Sequence, residues 1–374
     1  MRKWLAGVLV LALLSAPCFG AEAAVVKAPS AVLMTTAGQV LLEKDPHSVR
    51  EPASVTKVMT LLLACEAIDS GRLALGDKVT ASAHAASMGG SQIWLEEGEV
   101  LTVEEMLKCI AVVSANDCAV ALGEHLAGSE EAFVAQMNAR AAELGMTHTC
   151  FRNACGLPEE GHVTCAYDIG LMSAQLLREH GWICDYATIW QDTVRDGASV
   201  LNNTNKLLKS YPGITGLKTG YTAAAGYCVS ATAEREGLPL IAVIMGGESS
   251  AARNEDAAAL LDRGFAEYAA VTFTPDRPLL PVPVTLGTAE SVPVEMGKVA
   301  PPVLKKADLS GLEKTVELPE GLSAPVEQGQ QLGRILVKNG TDTVAEIPLL
   351  AARTVERLDL WSIFCRVFAY LCGC

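Results

Sequence analysis

The sequence predicts an α/β protein of the α+β kind, in which helices cover one antiparallel sheet and form a helical lobe at one side of it. Two apolar runs, 31–35 and 39–43, flank Thr36-Ala37-Gly38 and predict an N-terminal hairpin. Apolar residues then recur at three- and four-residue spacing between about 61 and 178, which predicts helices. After about residue 190 the spacing changes to two, which predicts strands. A hairpin and late strands that bracket a helical block are most simply joined in one sheet.

The middle block divides into four helices, and the sequence also supplies some of their ends. The helical runs are 103–107, 119–126, 131–144 and 166–177. Thr102-x-x-Glu105 predicts a capping box at the first of them, and Ser129 predicts the start of the third. Gly145 is placed to end that third helix.

Three strands and one long helix are predicted after the middle block. The strand runs are 217–222, 226–233 and 238–245, and the last is followed by Gly246-Gly247. Helical spacing returns from 251 to 270.

The composition changes at Phe273, which predicts a second domain. Prolines become frequent between Pro275 and Pro325, and aromatic residues disappear. Short alternating runs there predict a small β-sandwich; they are 281–285, 292–295, 315–318, 334–338 and 343–347.

The two ends of the chain carry predicted targeting segments. Met1-Arg2-Lys3 is basic, residues 4–14 form an apolar run too short to span a bilayer, and 15–23 offer small residues for cleavage. The sequence therefore predicts a secretory signal peptide and an exported protein, at the outer face of the cytoplasmic membrane or in the cell wall. The predicted ranges are 1–23 for the signal peptide, 24–272 for a catalytic domain, 273–350 for the β-rich domain and 351–374 for a terminal helix.

The terminal helix is amphipathic and too short and interrupted to span a membrane. Its apolar face consists of Leu360, Trp361, Phe364, Val367, Phe368 and Leu371. Aromatic residues suit a helix that lies in the membrane surface as an anchor. The alternative is a helix docked on its own domain.

Composition excludes several classes of function. The chain has 374 residues, is 50% hydrophobic and 19% charged, and carries a net charge of −14. It is therefore folded, and its acidity without any Lys/Arg cluster argues against nucleic-acid binding. The six histidines are scattered, and the twelve cysteines show no CxxC spacing, so no metal site is predicted. Most cysteines fit core positions, although a bridge among Cys150, Cys155 and Cys165 stays open.

Catalytic chemistry is first indicated by Ser54-x-x-Lys57. Pro52 suits the first turn of a helix, and the apolar run from Val58 carries that helix into a core. Three-residue spacing puts the hydroxyl and the amine on one face, close to each other. A serine with an amine beside it, at the amino end of a helix, is a nucleophile with its own general base, here Lys57.

Ser114-x-Asn116 lies at a helix junction and supplies two further polar groups. The Ser114 hydroxyl could relay a proton to a leaving amine. The Asn116 amide could hold the substrate backbone and orient Lys57.

Lys218-Thr219-Gly220 lies on a predicted strand and completes the set. Lys218 would attract a carboxylate and, as a second cation, lower the pKa of Lys57. Thr219 could donate to that carboxylate, and Gly220 would let a substrate peptide approach the strand closely. The backbone N–H groups of Ser54 and Tyr221 would then form an oxyanion hole.

Together and in this order, the three motifs resemble those of the penicillin-recognising serine enzymes. The surrounding segments narrow the resemblance to the low-molecular-weight penicillin-binding proteins, the serine D-alanyl-D-alanine carboxypeptidases; these segments are 52–57, 114–122, 203–207 and 216–222. The resemblance covers nearly the whole chain. It implies a serine β-lactamase/transpeptidase-like catalytic domain that removes the terminal D-alanine from peptidoglycan pentapeptide stems through an acyl-enzyme on Ser54. It also implies acylation by penicillins, and a role for Arg253 in binding the substrate carboxylate, without any cofactor.

Related activities remain as alternatives. The same core could serve a D,D-endopeptidase or a β-lactamase, or a catalytically idle scaffold that binds peptidoglycan. The acidic segment 156–160 lacks the loop pattern of a β-lactamase, and the intact motifs argue against a scaffold. Ala115 stands where the family commonly has glycine, between the two acting residues.

Overall fold

The computed structural model describes residues 26–275, 277–364 and 368. The predicted signal peptide, 1–23, lies outside this part. The main sheet has five antiparallel strands, in the order Val40–Lys44, Ser30–Thr35, Leu238–Gly247, Gly226–Arg235 and Ile214–Thr222. The N-terminal hairpin and the three late strands are thus joined in one sheet, as predicted.

Successive side chains along each strand point into two different cores, one on each face of the sheet. Val32 and Met34 pack with the helices of the lobe, whereas Ala31 and Leu33 pack against the helix Ser250–Glu267. Both faces are therefore buried. For this reason the strands consist of nearly continuous apolar runs rather than a strict apolar and polar alternation.

The helices of the first domain match the predicted block. The longer ones are Lys57–Asp69, Val103–Val112, Asn116–Ala127, Glu130–Glu143, Ala166–Glu179 and Ser250–Glu267. Short helical segments are Ala53–Thr56, Ala83–Ala86, Gly181–Ile183, Cys184–Ala187 and Leu207–Ser210. The capping box of Thr102 and Glu105 is present, and Ser129 caps the helix it was predicted to start.

Two details differ from the sequence prediction. The last helix of this domain ends at Glu267 rather than 270, because Tyr268–Ala270 pairs as a strand with Val303–Lys305 of the second domain. Small two-stranded ribbons, which the sequence analysis did not predict, pair Lys78–Thr80 with Val100–Thr102 and Gln191–Val194 with Ser199–Asn202.

The second domain is made of two small sheets, as the β-sandwich prediction required. One contains Ser291–Val292, Val282–Thr285 and Leu322–Ser323. The other contains Val294–Met296, Asp342–Ala351, Gln331–Asn339 and Leu312–Glu317. A short 3-10 helix, Lys306–Gly311, connects the strand Val303–Lys305 to the second of these sheets.

The described part of the tail is helical over 360–364. Trp361, Phe364 and Phe368 are exposed and stack in series, with ring centroids 5.8 and 6.2 Å apart. Within the described residues, every helix is too short or too polar to cross a bilayer. Val367 and Leu371 of the predicted apolar face lie outside the described residues.

Candidate active site

The nucleophile candidate lies in a short 3-10 turn that leads directly into a buried helix. Ser54 belongs to the turn Ala53–Thr56, and Lys57 begins the helix Lys57–Asp69. Ala53 has a φ of +49°, in the left-handed region that a residue with a Cβ rarely adopts. Its carbonyl packs against Gly156, where an added Cβ would lie 1.9 Å from the Ala53 oxygen. Tight packing therefore holds the strained residue next to the serine.

Lys57 is fully buried and its amine has three polar neighbours. Nζ lies 3.0 Å from Ser54 Oγ, 2.6 Å from Asn116 Oδ1 and 2.7 Å from the carbonyl oxygen of Cys155. Burial lowers the pKa of Lys57 to about 8, against the charges of nearby acidic groups, which raise it. In its neutral form the amine can accept the Ser54 proton while its two N–H groups donate to the other oxygens.

The second motif lies at the junction of the helices Val103–Val112 and Asn116–Ala127. Ser114 has a φ of +66°, and its buried Oγ has no hydrogen-bond partner among the described residues. Asn116 accepts from Lys57 through Oδ1, and its Nδ2 donates to the Gly89 carbonyl at 2.6 Å. The amide is thus fixed at both ends, and a free hydroxyl lies two residues before it.

Lys218 lies in the middle of the edge strand Ile214–Thr222 and is 1% exposed. Its Nζ donates to the Thr219 carbonyl at 2.9 Å. Burial lowers its pKa well below the usual range, and the charges of Lys57 and Arg253 lower it further. For Lys57, burial is the largest cause of the lowered pKa, and the charge of Lys57 in turn lowers the pKa of Lys218; that Lys218 lowers the pKa of Lys57 stays a prediction.

Gly220 brings the edge strand against the nucleophile turn. A Cβ at this position would lie 2.9 Å from the Ser54 backbone nitrogen and 3.0 Å from that of Val55. Tyr221 follows with its ring exposed, and the ring centroid lies 4.3 Å from that of Tyr227 at an interplanar angle of 30°. The backbone of the strand therefore runs past the Ser54 N–H group, where only glycine fits.

A third buried cation, Arg253, lies in the first turns of the helix Ser250–Glu267. Its guanidinium donates to the Cys228 carbonyl at 3.3 Å, to Ser250 Oγ at 3.2 Å and to Asn254 Oδ1 at 2.9 Å. Burial lowers its pKa to about 10. Among the described residues, no carboxylate forms an ion pair with Lys57, Lys218 or Arg253.

Several supporting contacts come from segments to which the sequence analysis gave no role. Thr204 Oγ1 lies 2.8 Å from Thr219 Oγ1, and Asn205 Nδ2 donates to the Gly216 carbonyl at 3.0 Å. The sequence 203–207 contributed to the family resemblance, and this was the only indication of its importance.

His162 contacts the nucleophile turn through Thr56, and the sequence patterns did not predict this contact. It is buried, and its Nδ1 accepts from the Arg152 N–H at 3.3 Å. Nε2 must then carry the proton, and it lies 2.9 Å from Thr56 Oγ1, to which it donates. Burial and the Arg152 charge lower the pKa of His162 to about 4. A scattered histidine gives no sequence pattern that would reveal this contact.

The fold and this site define the class of serine enzymes in which a buried lysine replaces the histidine of a catalytic triad. The family model described as D-alanyl-D-alanine carboxypeptidase matches residues 18–249, and the model of the penicillin-binding protein 5 C-terminal domain matches 272–357. The chain therefore belongs to the D-alanyl-D-alanine carboxypeptidase family and is a serine carboxypeptidase, which confirms the activity that the motifs predicted.

Individual relatives agree with this assignment over most of their length. The D-alanyl-D-alanine carboxypeptidase DacF of Bacillus subtilis is 40% identical over 337 residues, which cover 88% of this chain and 86% of that protein. DacC of Escherichia coli is 31% identical over 371 residues, 95% of this chain and 92% of that protein.

Solved structures show the same architecture. Penicillin-binding protein 5 from Haemophilus influenzae superposes with a TM-score of 0.73 at 26% identity, covering 90% of this chain and all of that one. Penicillin-binding protein D2 from Listeria monocytogenes, solved in its ampicillin-bound form, has a TM-score of 0.59 at 31% identity, with 64% of this chain and 98% of that one covered.

Proposed function

We propose that the chain removes the terminal D-alanine from peptidoglycan stem peptides that end in D-Ala-D-Ala, through an acyl-enzyme on Ser54. The observation that carries the proposal is the contact between the fully buried Lys57 amine and Ser54 Oγ, at 3.0 Å. A pKa of about 8 leaves part of the amine neutral near pH 7, which a general base requires.

Acylation begins when neutral Lys57 takes the proton of Ser54. The Oγ attacks the carbonyl carbon of the penultimate D-alanine, and the oxyanion that forms is stabilised by the N–H groups of Ser54 and Tyr221. The proton passes through the unpartnered Ser114 hydroxyl to the leaving amine, and the C–N bond breaks. Free D-alanine departs. Water, deprotonated by Lys57, then attacks the ester carbon; the bond to Ser54 Oγ breaks, Lys57 returns the proton to that oxygen, and the shortened stem departs.

The substrate carboxylate is bound by the buried cations. Lys218 and Arg253 have no carboxylate partner among the described residues, so a ligand carboxylate supplies the missing charge. The Thr219 hydroxyl donates a hydrogen bond to the same carboxylate, and Gly220 allows the peptide to lie along the edge strand. Asn116 holds both Lys57 and the substrate backbone.

Penicillins acylate Ser54 in the same way. The Listeria relative is described in an ampicillin-bound form, and a β-lactam presents both a reactive carbonyl and a carboxylate. The acidic segment 156–160 lacks the loop pattern that gives a β-lactamase its second base, which favours a slow loss of the acyl group rather than β-lactamase activity.

One substitution tests the acyl-enzyme. The Ser54→Ala variant should release no D-alanine from a diacyl-D-Ala-D-Ala peptide and should not be labelled by a fluorescent penicillin. Ser70→Ala, at the other end of the same helix, should behave like the wild type. Release that persists in Ser54→Ala would refute the assignment. Faster cleavage of a cross-linked dimer than of the monomeric peptide would favour the endopeptidase alternative.

The chain acts outside the cytoplasmic membrane, with the catalytic domain at 24–272, the β-rich domain at 273–350 and the terminal helix at 351–374 lying on the membrane surface. The relatives' names as carboxypeptidases and penicillin-binding proteins agree with an exported enzyme. Trp361, Phe364 and Phe368 are exposed together, as an interfacial anchor requires.

Membrane fractionation tests the anchor. The variant with Trp361→Ser and Phe364→Ser should move from the membrane fraction to the soluble fraction. Trp94→Ser, which removes an equally exposed indole from the catalytic domain, should leave the distribution unchanged. If the tail variant still sediments with membranes, the helix docked on its own domain is the better description.

A further inference from the structure

Three potential metal ligands lie together away from the catalytic residues. They are His47, His148 and Cys165, and one donor atom from each lies within 4.8 Å of the other two. His47 is exposed, His148 is half-buried and the thiol of Cys165 is fully buried. The cluster therefore reaches from the interior to the solvent, which gives an ion a path to it.

Hydrogen bonding leaves the donor atoms of both histidines available. The Nδ1 atom of His148 lies 3.2 Å from Thr147 Oγ1, so a Nδ1–H donating to that hydroxyl leaves the lone pair on Nε2. Outer hydrogen bonds of this kind orient metal-binding histidines. The ring of His47 packs on Tyr167 and His148, at centroid distances of 4.8 and 5.2 Å, and makes no hydrogen bond to the described residues.

Asp168, which is hydrogen-bonded to two members of the cluster, has a buried carboxylate oxygen without a partner among the described residues, and this is a second observation that favours a cation. Asp168 is fully buried, and its backbone N–H donates to Cys165 Sγ at 3.4 Å. Its Oδ2 accepts from the His148 N–H and from Thr149 Oγ1, whereas Oδ1 is buried with no partner among the described residues. A buried carboxylate with an unpaired oxygen is costly, and a nearby positive charge offsets that cost.

We infer that His47, His148 and Cys165 bind a divalent zinc ion, with the Asp168 carboxylate as the adjacent negative charge. Two imidazoles and a thiolate are the donor set that zinc prefers. Tetrahedral zinc holds such donors about 3.3 to 3.8 Å apart, so the side chains must close by about 1 Å, which the exposed His47 can do by rotation. The Cys165 thiol loses its proton to the solvent when it binds the ion.

The ion would tie the segment before the nucleophile to the start of a core helix. Cys165 caps the helix Ala166–Glu179, and Tyr167 N–H donates to the Pro46 carbonyl at 3.0 Å. Arg50, four residues before Ser54, pairs with Thr164 through two backbone hydrogen bonds of 2.8 and 2.9 Å. Zinc would add a strong link to these weaker ones, and its expected role is structural.

Metal titration of the full chain tests the inference. After dialysis against a chelator, the protein should bind one Zn²⁺ per chain and melt at a higher temperature with Zn²⁺ than without it. Co²⁺ in place of Zn²⁺ should give the near-ultraviolet absorption of a thiolate–cobalt bond. His47→Ala and Cys165→Ser should each weaken Zn²⁺ binding by about 100-fold or more, since loss of a direct ligand exceeds the 10- to 100-fold effect of an outer contact.

Matched variants keep the test decisive. Cys150→Ser alters a thiol two residues from His148, and Cys184→Ser alters a distant half-buried one; both should bind Zn²⁺ like the wild type. His47→Ala changes an exposed side chain, so the variant should fold, and circular dichroism checks this. The inference would be overturned if the wild type did not bind Zn²⁺ stoichiometrically, or if His47→Ala and Cys165→Ser bound Zn²⁺ as tightly as the wild type. Either result would count whatever the carboxypeptidase activity is.

Discussion

Replacing Asn116 by aspartate should move the pH dependence of acylation to higher pH. The Asn116 Oδ1 atom lies 2.6 Å from the Nζ atom of Lys57, and both residues are buried. Aspartate keeps the shape of the side chain but adds a negative charge at this contact. An opposite charge so close favours the protonated amine, and such pairs shift a pKa by about 1 to 3.

The size of the effect follows from the fraction of neutral amine. A pKa of about 8 leaves about one tenth of Lys57 neutral at pH 7 in the wild type. In the aspartate variant this fraction falls to between about one hundredth and one ten-thousandth. The acylation rate at pH 7 should therefore fall by about 10- to 1000-fold, and the rising limb of the profile should move to about pH 9 or above.

Stopped-flow labelling with a fluorescent penicillin, from about pH 5 to about pH 10, measures this profile. The wild-type rate should rise about tenfold for each pH unit up to pH 7 and level off above 8, as the Lys57 amine loses its proton. Asn202→Asp, an exposed asparagine on the ribbon Ser199–Asn202, provides the matched control and should leave the profile unchanged. A variant that loses the same factor at every pH would show that Asn116 acts on the substrate alone, and would refute the reasoning for Lys57.

Two further substitutions test the supports of the nucleophile turn. Gly220→Ala should lower the acylation rate by about 100- to 1000-fold, which is the cost of displacing an oxyanion-hole donor, because the new Cβ would lie 2.9 Å from the Ser54 nitrogen. Gly76 lies in open space, so Gly76→Ala is the control and should acylate at the wild-type rate. Rates of penicillin labelling measure both variants. In the folded chain the pKa of His162 is about 4, below its usual 6.5. The free energy of unfolding should therefore be unaffected by this group above pH 6.5 and should fall by about 3 kcal/mol as the pH drops from 6.5 to 4, because only the unfolded chain takes up the proton there. His162→Gln should flatten that pH dependence in urea unfolding, and an unchanged slope would contradict the buried neutral imidazole.

Much of the fold was predictable because its signals are local. The capping box of Thr102 and Glu105, the hairpin around Gly38 and the apolar runs of the late strands each depend on neighbours in the sequence. The three catalytic motifs were predictable for the same reason, since each occupies a single turn or strand. The early end of the last helix at Glu267 was not, because a strand of the other domain pairs with the residues that follow it.

The remaining parts of the site depend on contacts between distant segments. Cys155 contributes a backbone carbonyl to Lys57, and a carbonyl has no signature in the amino-acid sequence. His162 contacts Thr56 across 106 positions, and Gly156 packs on Ala53 across a similar interval. Only folding brings such groups together, so spacing along the chain could not predict them.

The three buried cations connect the stability of the fold to its function. Lys57, Lys218 and Arg253 donate hydrogen bonds only to carbonyls, amides and hydroxyls. The charges of Lys57 and Arg253 also repel that of Lys218. A buried charge without a counter-charge destabilises the folded chain, and burial lowers the pKa of all three. The same deficit makes a ligand carboxylate bind favourably, because it supplies the charge that the protein lacks. The lowered pKa of Lys57 therefore has the same cause as the proposed carboxylate site, and one feature of the core would account for both the base and the binding of the substrate.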